Sequence, residues 1–291
     1  MGASEWLADP SVSFFARVLA AALLGGVGCG LAGVFVVAMR IPFIGVCMSH
    51  AALAGAVLGC LAGVSPPACG FALAVASAFA VGPLADRAEL DPNISLSILF
   101  SLLMGLAFLG ISMQIGERRG ALLSLIWGNL LLVSGSGLLA LAASTLLILA
   151  GVAVFHKELL AVLFNRRVAA AVGIHEPVFV YGLYGLIGLV VTVNLDTVGG
   201  LVLFSLMVAP AACAYQFTFR LKTLLILSAL AGAACAAWGL ALSYALDTPC
   251  GATVVITASI LFAVCLLLSP KRRLRGGESQ ATGNPVKEHR T

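Results

Sequence analysis

IPFIGVCMSHAALAGAVLGCLAGVSPPACGFALAVASAFAVGPLA, residues 41–85, contains no Asp, Glu, Lys or Arg. A helix needs about 20 predominantly apolar residues to cross the hydrocarbon core of a bilayer, so this run is too long for one span. The Pro66-Pro67 pair divides it, which predicts one span near 44–64 and a second near 67–84. The run lacks the strict alternation of a barrel strand, so both spans are expected to be helices.

The same absence of charge extends over most of the chain. Hydrophobic residues make up 61% of the sequence and charged residues only 10%, whereas a soluble domain carries about 25% charged residues. The other charge-free runs are 18–39, 92–116, 120–156, 177–195, 197–219, 223–246 and 248–270. They predict further spans near 13–38, 94–113, 138–155, 177–195, 198–215, 222–243 and 250–269. The predicted fold is therefore an all-α polytopic transmembrane helical bundle without a soluble catalytic domain.

The number of spans depends on one segment. Residues 121–133 precede Ser134-Gly135-Ser136-Gly137 and are interpreted as a short or re-entrant helix. The expected count is nine, and eight or ten are the alternatives.

The positive charge predicts the orientation of the chain. Residues 1–270 hold ten basic and ten acidic residues, so the net charge of +4 comes from the tail at 271–291. A basic cluster behind the last span indicates a cytoplasmic tail under the positive-inside rule, in preference to nucleic-acid binding. The tail is expected to be disordered, and nine spans then place residues 1–12 outside. No signal-peptide pattern is found, because Glu5 and Asp9 precede the first basic residue, Arg17.

Cysteine and small residues carry less information. The eight cysteines are scattered through apolar segments without a C-x-x-C pair, so neither a disulfide framework nor a thiolate metal site is expected. Small residues recur every three or four positions in two spans, which allows close helix packing in any polytopic protein. These residues are Ala22, Gly26, Gly30 and Gly33 in one span and Gly45, Ser49, Ala52, Ala56, Gly59 and Gly63 in the other.

The longest polar interruption is residues 156–176. Apolar residues follow helical spacing through it, and Gly173 is placed to end a helix. The pattern predicts a pair of short helices on the cytoplasmic face, and a simple connecting loop is the alternative. The sequence has no Gly-Lys dipeptide and therefore no phosphate-binding G-x-x-x-x-G-K-[ST] loop, so any ATPase must be a separate polypeptide.

His50 is the candidate for chemistry inside the membrane. It lies about 9 Å from the start of its span at helical rise, and an ionisable side chain at that depth is a functional candidate by default. The alternative is a histidine that only hydrogen-bonds a neighbouring helix. Ser49 cannot form a nucleophile–base pair with it, because adjacent helical residues point about 100° apart. An intramembrane hydrolase would need Ser and His from different spans.

Two acidic residues fall in predicted external turns. They are Asp196, in Asn194-Leu195-Asp196-Thr197, and Asp247, in Asp247-Thr248-Pro249. Each is expected to cap the following helix, because a carboxylate oxygen can accept from free N–H groups there. Docking of an external partner is the alternative role.

Four segments in register resemble the membrane permeases of the zinc/manganese/iron class of ABC importers. Arg40–Gly59 contains the S-H-A-x-x-x-G motif, and Lys157–Gly173 is similar to the family's ATPase-coupling loop. Val198–Ala214 resembles its V-G-x-L helix with a P-A-x-x-A ending, and Asp247–Gly251 resembles its D-x-P-x-G turn. The order and spacing agree over residues 16–270.

The resemblance implies a permease domain at 13–270 with the fold of type II ABC importers, acting as a homodimer in the bacterial inner membrane. It implies two ATPase subunits, an external metal-binding lipoprotein or periplasmic protein, and no cofactor or enzymatic activity in this chain. His50 would be a transient metal ligand, with Ser49 beside it on the path. The coupling residues would be Lys157, Glu158, Leu159, Phe164, Asn165, Arg166 and Gly173.

The chain departs from the family pattern at two positions. Val46 stands where an acidic residue usually precedes the histidine by four positions, and Asn165 stands where the coupling loop usually has Asp. Loss of the carboxylate removes a hard oxygen ligand from the path. A permease for a metal chelate or siderophore is therefore the alternative function, and an intramembrane enzyme is a third hypothesis.

Overall fold

The computed structural model describes residues 10–113 and 134–269, except for the side chains of residues 10–13, 196 and 201. These residues form eleven helices and no strand. In chain order the helices are α1 (Pro10–Ala38), α2 (Ile44–Ala62), α3 (Pro66–Ala88), α4 (Pro92–Met113), α5 (Gly135–Val154), α6 (His156–Phe164), α7 (Arg166–Ala171), α8 (Glu176–Val198), α9 (Gly200–Phe217), α10 (Leu221–Leu246) and α11 (Cys250–Leu268).

Nine of the described helices lie where the sequence predicts spans. Eight are long and apolar enough to cross a membrane, and the apolar part of α9, Val202–Phe217, is somewhat shorter. The predicted helical bundle is therefore confirmed. The segment 121–133, on which the span count depended, lies outside the described residues.

The ends of the described helices lie at two opposite faces of the bundle. One face carries α6 and α7 together with the connections at 39–43, 89–91 and 218–220, and is called the α6–α7 face. The end of α4 lies on the opposite face, because Gly110 packs there against Val57 and Leu61 near the end of α2. The start of α5 lies on that face too, since Gly137 lines a groove with Pro67 at the start of α3. α4 therefore ends on the face where α5 begins.

Glycine allows α1 and α10 to pack with their backbones almost in contact. A Cβ on Gly26 would lie 2.5 Å from the carbonyl oxygen of Gly232, and one on Gly30 would lie 2.5 Å from that of Ser228. Ser228 Oγ donates a hydrogen bond to Gly30 O at 2.6 Å. Such close approach stabilises helix pairs in lipid, where apolar burial alone gives no preference for protein over acyl chains.

Two further close interfaces link α2, α3 and α8. A Cβ on Gly70 of α3 would lie 2.7 Å from Ala52 O of α2. On the other side of α3, the ring of Phe79 lies against Gly185 of α8, and the ring of Tyr181 of α8 lies against Gly82. Glycines thus allow α3 to approach the backbone of α2 on one side and to accommodate aromatic rings at α8 on the other.

The structure corrects the predicted turn at Asn194-Leu195-Asp196-Thr197, whereas Asp247-Thr248-Pro249 does connect two helices as predicted. Asp196 lies within α8, which continues to Val198, and α9 begins after Gly199, whose φ is +87°. Gly199 and not Asp196 is therefore at the N-cap position of α9; the side chain of Asp196 lies outside the described residues. Asp247 has φ +53° and ends α10, its backbone N–H bonding Ser243 O.

The prediction that Asp247 caps the following helix is also wrong. α11 begins after Pro249 without a side-chain cap. Thr248 and Pro249 separate Asp247 from the first turn of α11, so its carboxylate is an exposed group in the α10–α11 connection.

Candidate functional site

His50 lies in the second turn of α2 and is half-buried. Its Nδ1 is 2.8 Å from the carbonyl oxygen of Val46, one turn earlier on the same helix. A carbonyl oxygen only accepts hydrogen bonds, so in the neutral imidazole Nδ1 carries the proton. The lone pair then lies on Nε2, which is the form of histidine that binds a metal ion.

Two aromatic side chains fix the orientation of His50. The ring of Phe100 on α4 meets the imidazole edge to face at 5.0 Å and 79°, and Phe43 meets Phe100 at 5.2 Å and 74°. Aromatic rings prefer this geometry, so the row of three rings holds the imidazole in one position. Sequence reasoning missed both phenylalanines, because a Phe beside the site and a Phe in contact with lipid have the same pattern.

Ser49 faces a different neighbour. Its side chain is 7% exposed, and its Oγ donates a hydrogen bond to Gly45 O at 2.9 Å. It packs against the start of α9, where a Cβ on Gly200 would lie 3.5 Å from Ser49 Oγ. The structure therefore places Ser49 against α9 and His50 against α4, and it does not bring the two side chains together.

Val46 contributes only its backbone carbonyl to the surroundings of His50. Among the described residues, no group of three or more His, Cys, Asp and Glu side chains is arranged to hold a metal ion. Within the described part of one chain, His50 therefore belongs to no cluster of three such side chains.

The polar interruption at 156–176 contains two short helices, α6 and α7, as the sequence predicts. They meet at Asn165, whose Oδ1 accepts hydrogen bonds from Arg167 N at 2.9 Å and Val168 N at 3.3 Å. Asn and Asp are equally effective N-caps. Asn165 in place of the family's Asp therefore preserves the start of α7. The pair ends at Gly173, whose φ is +87°.

Both short helices carry exposed apolar side chains. Phe164 is 84% exposed, and three more exposed side chains precede and follow it at intervals of four residues. We call this set the apolar ridge: Leu160, Phe164, Val168 and Val172. The predicted coupling residues around it differ in placement. Lys157 is exposed and Glu158 is half-buried, whereas Leu159 is buried and anchors α6 to the bundle.

Arg166, the first residue of α7, is turned toward the bundle. Its Nε donates to Glu176 Oε2 at 2.9 Å, and its Nη2 lies 3.6 Å from Asp86 Oδ2. The same Asp86 oxygen accepts a hydrogen bond from the Tyr181 hydroxyl at 2.6 Å. We call these four residues the ionic cluster; it joins α7, α3 and α8.

Charge in the ionic cluster favours the protonated guanidinium. Burial alone lowers the pKa of Arg166, but the hydrogen bond and charge of Glu176, together with the charge of Asp86, outweigh it and raise the pKa. Sequence reasoning did not single out Asp86, Glu176 or Tyr181. An acid in the last turn of a span was a possible signal for Asp86, but solvated carboxylates commonly occupy such positions.

A groove of about 540 Å³ separates α6 and α7 from the bundle. Its walls include Met39 after α1, Val162 on α6, Arg166 on α7 and Tyr184 on α8. The two short helices thus rest on the bundle partly through the ionic cluster and partly over open space.

A bundle of apolar helices with two short helices at one face defines a polytopic membrane protein. The model of the ABC 3 transport family matches residues 11–269, and the chain belongs to this family.

Three comparisons illustrate the similarity. The manganese transport system membrane protein MntC of Halalkalibacterium halodurans is 32% identical over 264 residues, covering 90% of this chain and 89% of its own. A probable iron transport system membrane protein of Haemophilus influenzae is 26% identical over 273 residues, covering 93% and 99%. The structure of PsaBC from Streptococcus pneumoniae in complex with Fab has a TM-score of 0.78 at 24% identity, covering 93% of this chain and 96% of that one.

The chain is therefore a multi-pass permease subunit of an ABC-type transporter, and it is not an enzyme. The predicted family resemblance is confirmed.

Proposed function

We propose that this permease forms the translocation path of an ATP-driven importer of divalent metal ions such as manganese, iron or zinc. The observation that carries the proposal is His50, whose Nε2 is left available by the hydrogen bond from Nδ1 to Val46 O. The names of the manganese and iron transport relatives support the same cargo class. A single ligand holds the ion weakly, as transport requires, because a tightly held ion would not leave.

The α6–α7 face is proposed to be cytoplasmic. Arg17, at the start of α1, is the one described basic residue that lies near the opposite face. The basic residues at the α6–α7 face are Arg40, Arg87, Lys157, Arg166, Arg167, Arg220 and Lys222. This asymmetry follows the positive-inside rule for a bacterial inner membrane. The tail at 271–291 then lies inside and residues 1–12 lie outside.

The apolar ridge is proposed as the docking surface for the ATPase. Exposed apolar side chains on a short helix outside the membrane are typical of protein–protein contacts. Phe164 at its centre has the character of an anchor, being aromatic and almost fully exposed. The complete transporter would contain two copies of this chain, two ATPase subunits and an external metal-binding protein, which docks on the opposite face near Asp196 and Asp247.

A second candidate cargo is a metal chelate or siderophore. The observation that favours it is the absence of a carboxylate at Val46, together with the absence of a three-ligand group among the described residues. A chelate supplies its own ligands, so its path needs none from the protein.

The proposal is tested by metal uptake into vesicles that contain the permease with the ATPase and binding protein that co-purify with it. His50→Ala is expected to abolish uptake of free metal ions while the ATPase still co-purifies. His156→Ala changes a histidine at the α6–α7 face and is the matched control. Normal uptake by His50→Ala would exclude His50 from the path.

The dependence of uptake on an added chelator distinguishes the two cargoes. Free manganese, iron or zinc should be transported by the unaltered complex without an added chelator. Uptake that occurs only when a chelator is present would replace the metal-ion proposal by the chelate proposal.

A further inference from the structure

Helices α3 and α8 are closely packed in the half of the bundle nearest the α6–α7 face, where glycines of each helix meet side chains of the other, and we treat them there as one unit. The Tyr181 ring lies against Gly82, the Phe79 ring lies against Gly185, and Ala78 lies against Gly188. Each ring occupies the position that a Cβ of the opposing glycine would take. Close-packed contacts of this kind are not continuously deformable, so displacement of one helix must move the other.

The ionic cluster lies at the α6–α7 end of this unit. Asp86 is in the last turn of α3, and Tyr181 and Glu176 are in the first two turns of α8. Arg166 bonds a carboxylate on each helix, and Tyr181 closes the arrangement by donating to Asp86 Oδ2. One guanidinium thus joins the first residue of α7 to both members of the unit.

The unit also contacts the helix that carries His50. Gly70 of α3 packs against Ala52 O of α2, and Gly59 of α2 packs against Pro66 and Cys69 of α3. A continuous series of backbone contacts and ion pairs therefore runs from α7 through α3 to α2.

We infer that Asp86, Tyr181 and Glu176 are positioning residues that couple the α6–α7 pair to the α3–α8 unit, with Arg166 as the joint between them. The inference rests on the proposed function, because it assigns how ATPase movement reaches the path. Arg166 consequently transmits movement of α6 and α7 to the membrane helices, and the apolar ridge makes the contact with the ATPase.

The geometry separates these two roles. Arg166 points into the bundle, and its guanidinium is engaged by Glu176 and Asp86. Phe164, two residues earlier, borders the groove beside the bundle, and 84% of its side chain is exposed, with no ion pair or hydrogen bond to the ionic cluster. The groove beside Met39 and Tyr184 leaves the short helices room to move on this joint. Substitutions in the ionic cluster should therefore weaken the coupling of ATP hydrolysis to transport and leave binding of the ATPase unchanged.

Tyr181→Phe provides the sharpest test. The variant keeps the ring against Gly82 and removes only the hydroxyl that donates to Asp86. In vesicles holding the complete transporter, metal uptake and ATP hydrolysis are measured on the same sample. The ratio of metal transported to ATP hydrolysed is expected to fall about two- to fivefold, because the lost hydrogen bond to the charged Asp86 is solvent-exposed and contributes less than a buried one. The amount of ATPase that co-purifies is expected to stay unchanged.

Asp86→Asn is the second variant, and it should lower the same ratio. In the double variant the two effects should add only in part, because both changes act on Asp86, whose carboxylate accepts from Tyr181 and also pairs with Arg166. Tyr244→Phe, on an exposed tyrosine at the opposite face, and Glu89→Gln, on an exposed acid after α3, are the matched controls.

The outcomes separate the inference from the proposed function. Lack of metal uptake by the unaltered complex would contradict the proposed function. Normal uptake by that complex with an unchanged ratio in Tyr181→Phe would overturn the inference, as would loss of the co-purified ATPase in that variant. If Asp86→Asn does not fold, Tyr181→Phe decides alone.

Discussion

The ring of Tyr181 of α8 lies directly against Gly82 of α3. It occupies the space that the Cβ of any larger residue at position 82 would need. The same ring carries the hydroxyl that binds Asp86 at the end of α3. A packing contact and a hydrogen bond therefore act between the same two helices within one turn of each other. This pairing explains why a glycine in a lipid-embedded helix can matter to the polar end of the bundle.

Replacement of that glycine should destabilise the protein. In Gly82→Ala the added methyl overlaps the Tyr181 ring, and overpacking of this kind costs about 1–3 kcal/mol. Thermal unfolding of the purified permease in detergent measures the loss. Gly105→Ala is the matched control, because nothing lies within 4 Å of a Cβ at Gly105. Equal unfolding temperatures for the two variants would contradict the packing described for α3 and α8.

Restoration of the missing carboxylate should change metal preference. Val46→Asp places a hard oxygen ligand one helical turn before His50, on the same face of α2. Manganese uptake is expected to rise relative to zinc uptake in a competition assay. Val46→Asn has nearly the same size without the charge and should leave the preference unchanged. A shift of equal size in both variants would mean that polarity and not the carboxylate sets the preference.

The cap of α7 should tolerate Asp and not Ala at position 165. Asn165→Asp keeps an oxygen acceptor for the N–H groups of Arg167 and Val168, whereas Asn165→Ala loses about 1 kcal/mol of helix stability. Proteolysis of α6 and α7 in the purified permease should be faster for the Ala variant alone. Equal protection of all three proteins would show that this cap does not hold the pair.

The apolar ridge should determine association with the ATPase. Phe164→Ala removes an aromatic side chain that is 84% exposed, and loss of such an anchor typically costs at least about 2 kcal/mol of binding. The ATPase that co-purifies should fall sharply while the unfolding temperature of the permease stays the same. Val178→Ala, also exposed at this end of the bundle, is the control. Undiminished co-purification of the Phe164 variant would place the docking surface elsewhere.

The positions of the helices along the chain could be predicted because a charged side chain in a membrane segment is energetically costly. The charge-free run at 41–85 and its Pro66-Pro67 break located α2 and α3, and helical spacing with Gly173 located the short pair α6 and α7. The turns were less accurate. Asp196 lies inside α8, since the positive φ of Gly199, and not a change in polarity, ends that helix.

The side-chain contacts of the candidate site could not be predicted from the sequence. His50 was evident as a histidine in an apolar run, but the Phe100 ring that orients it lies 50 residues away on α4. The partners of Arg166 are likewise distant, because Asp86 comes 80 positions earlier in the chain. Sequence periodicity reports which side of a helix is buried, and it does not report which other helix covers it. Small-residue spacing had the same limit, predicting close packing of α1 without identifying α10 as its partner.

The faces on which α1 begins and α11 ends have a practical consequence for protein engineering. Among the described helices, α1 starts on one side of the bundle and α11 ends on the other, because the eight span-length helices and the shorter α9 traverse the bundle nine times in all. Two copies of this chain therefore cannot be joined head to tail by a flexible linker alone. A single-chain dimer would need a linker that itself contains a transmembrane helix of about 20 residues. Fusion of reporter domains to the two ends would place them in different compartments.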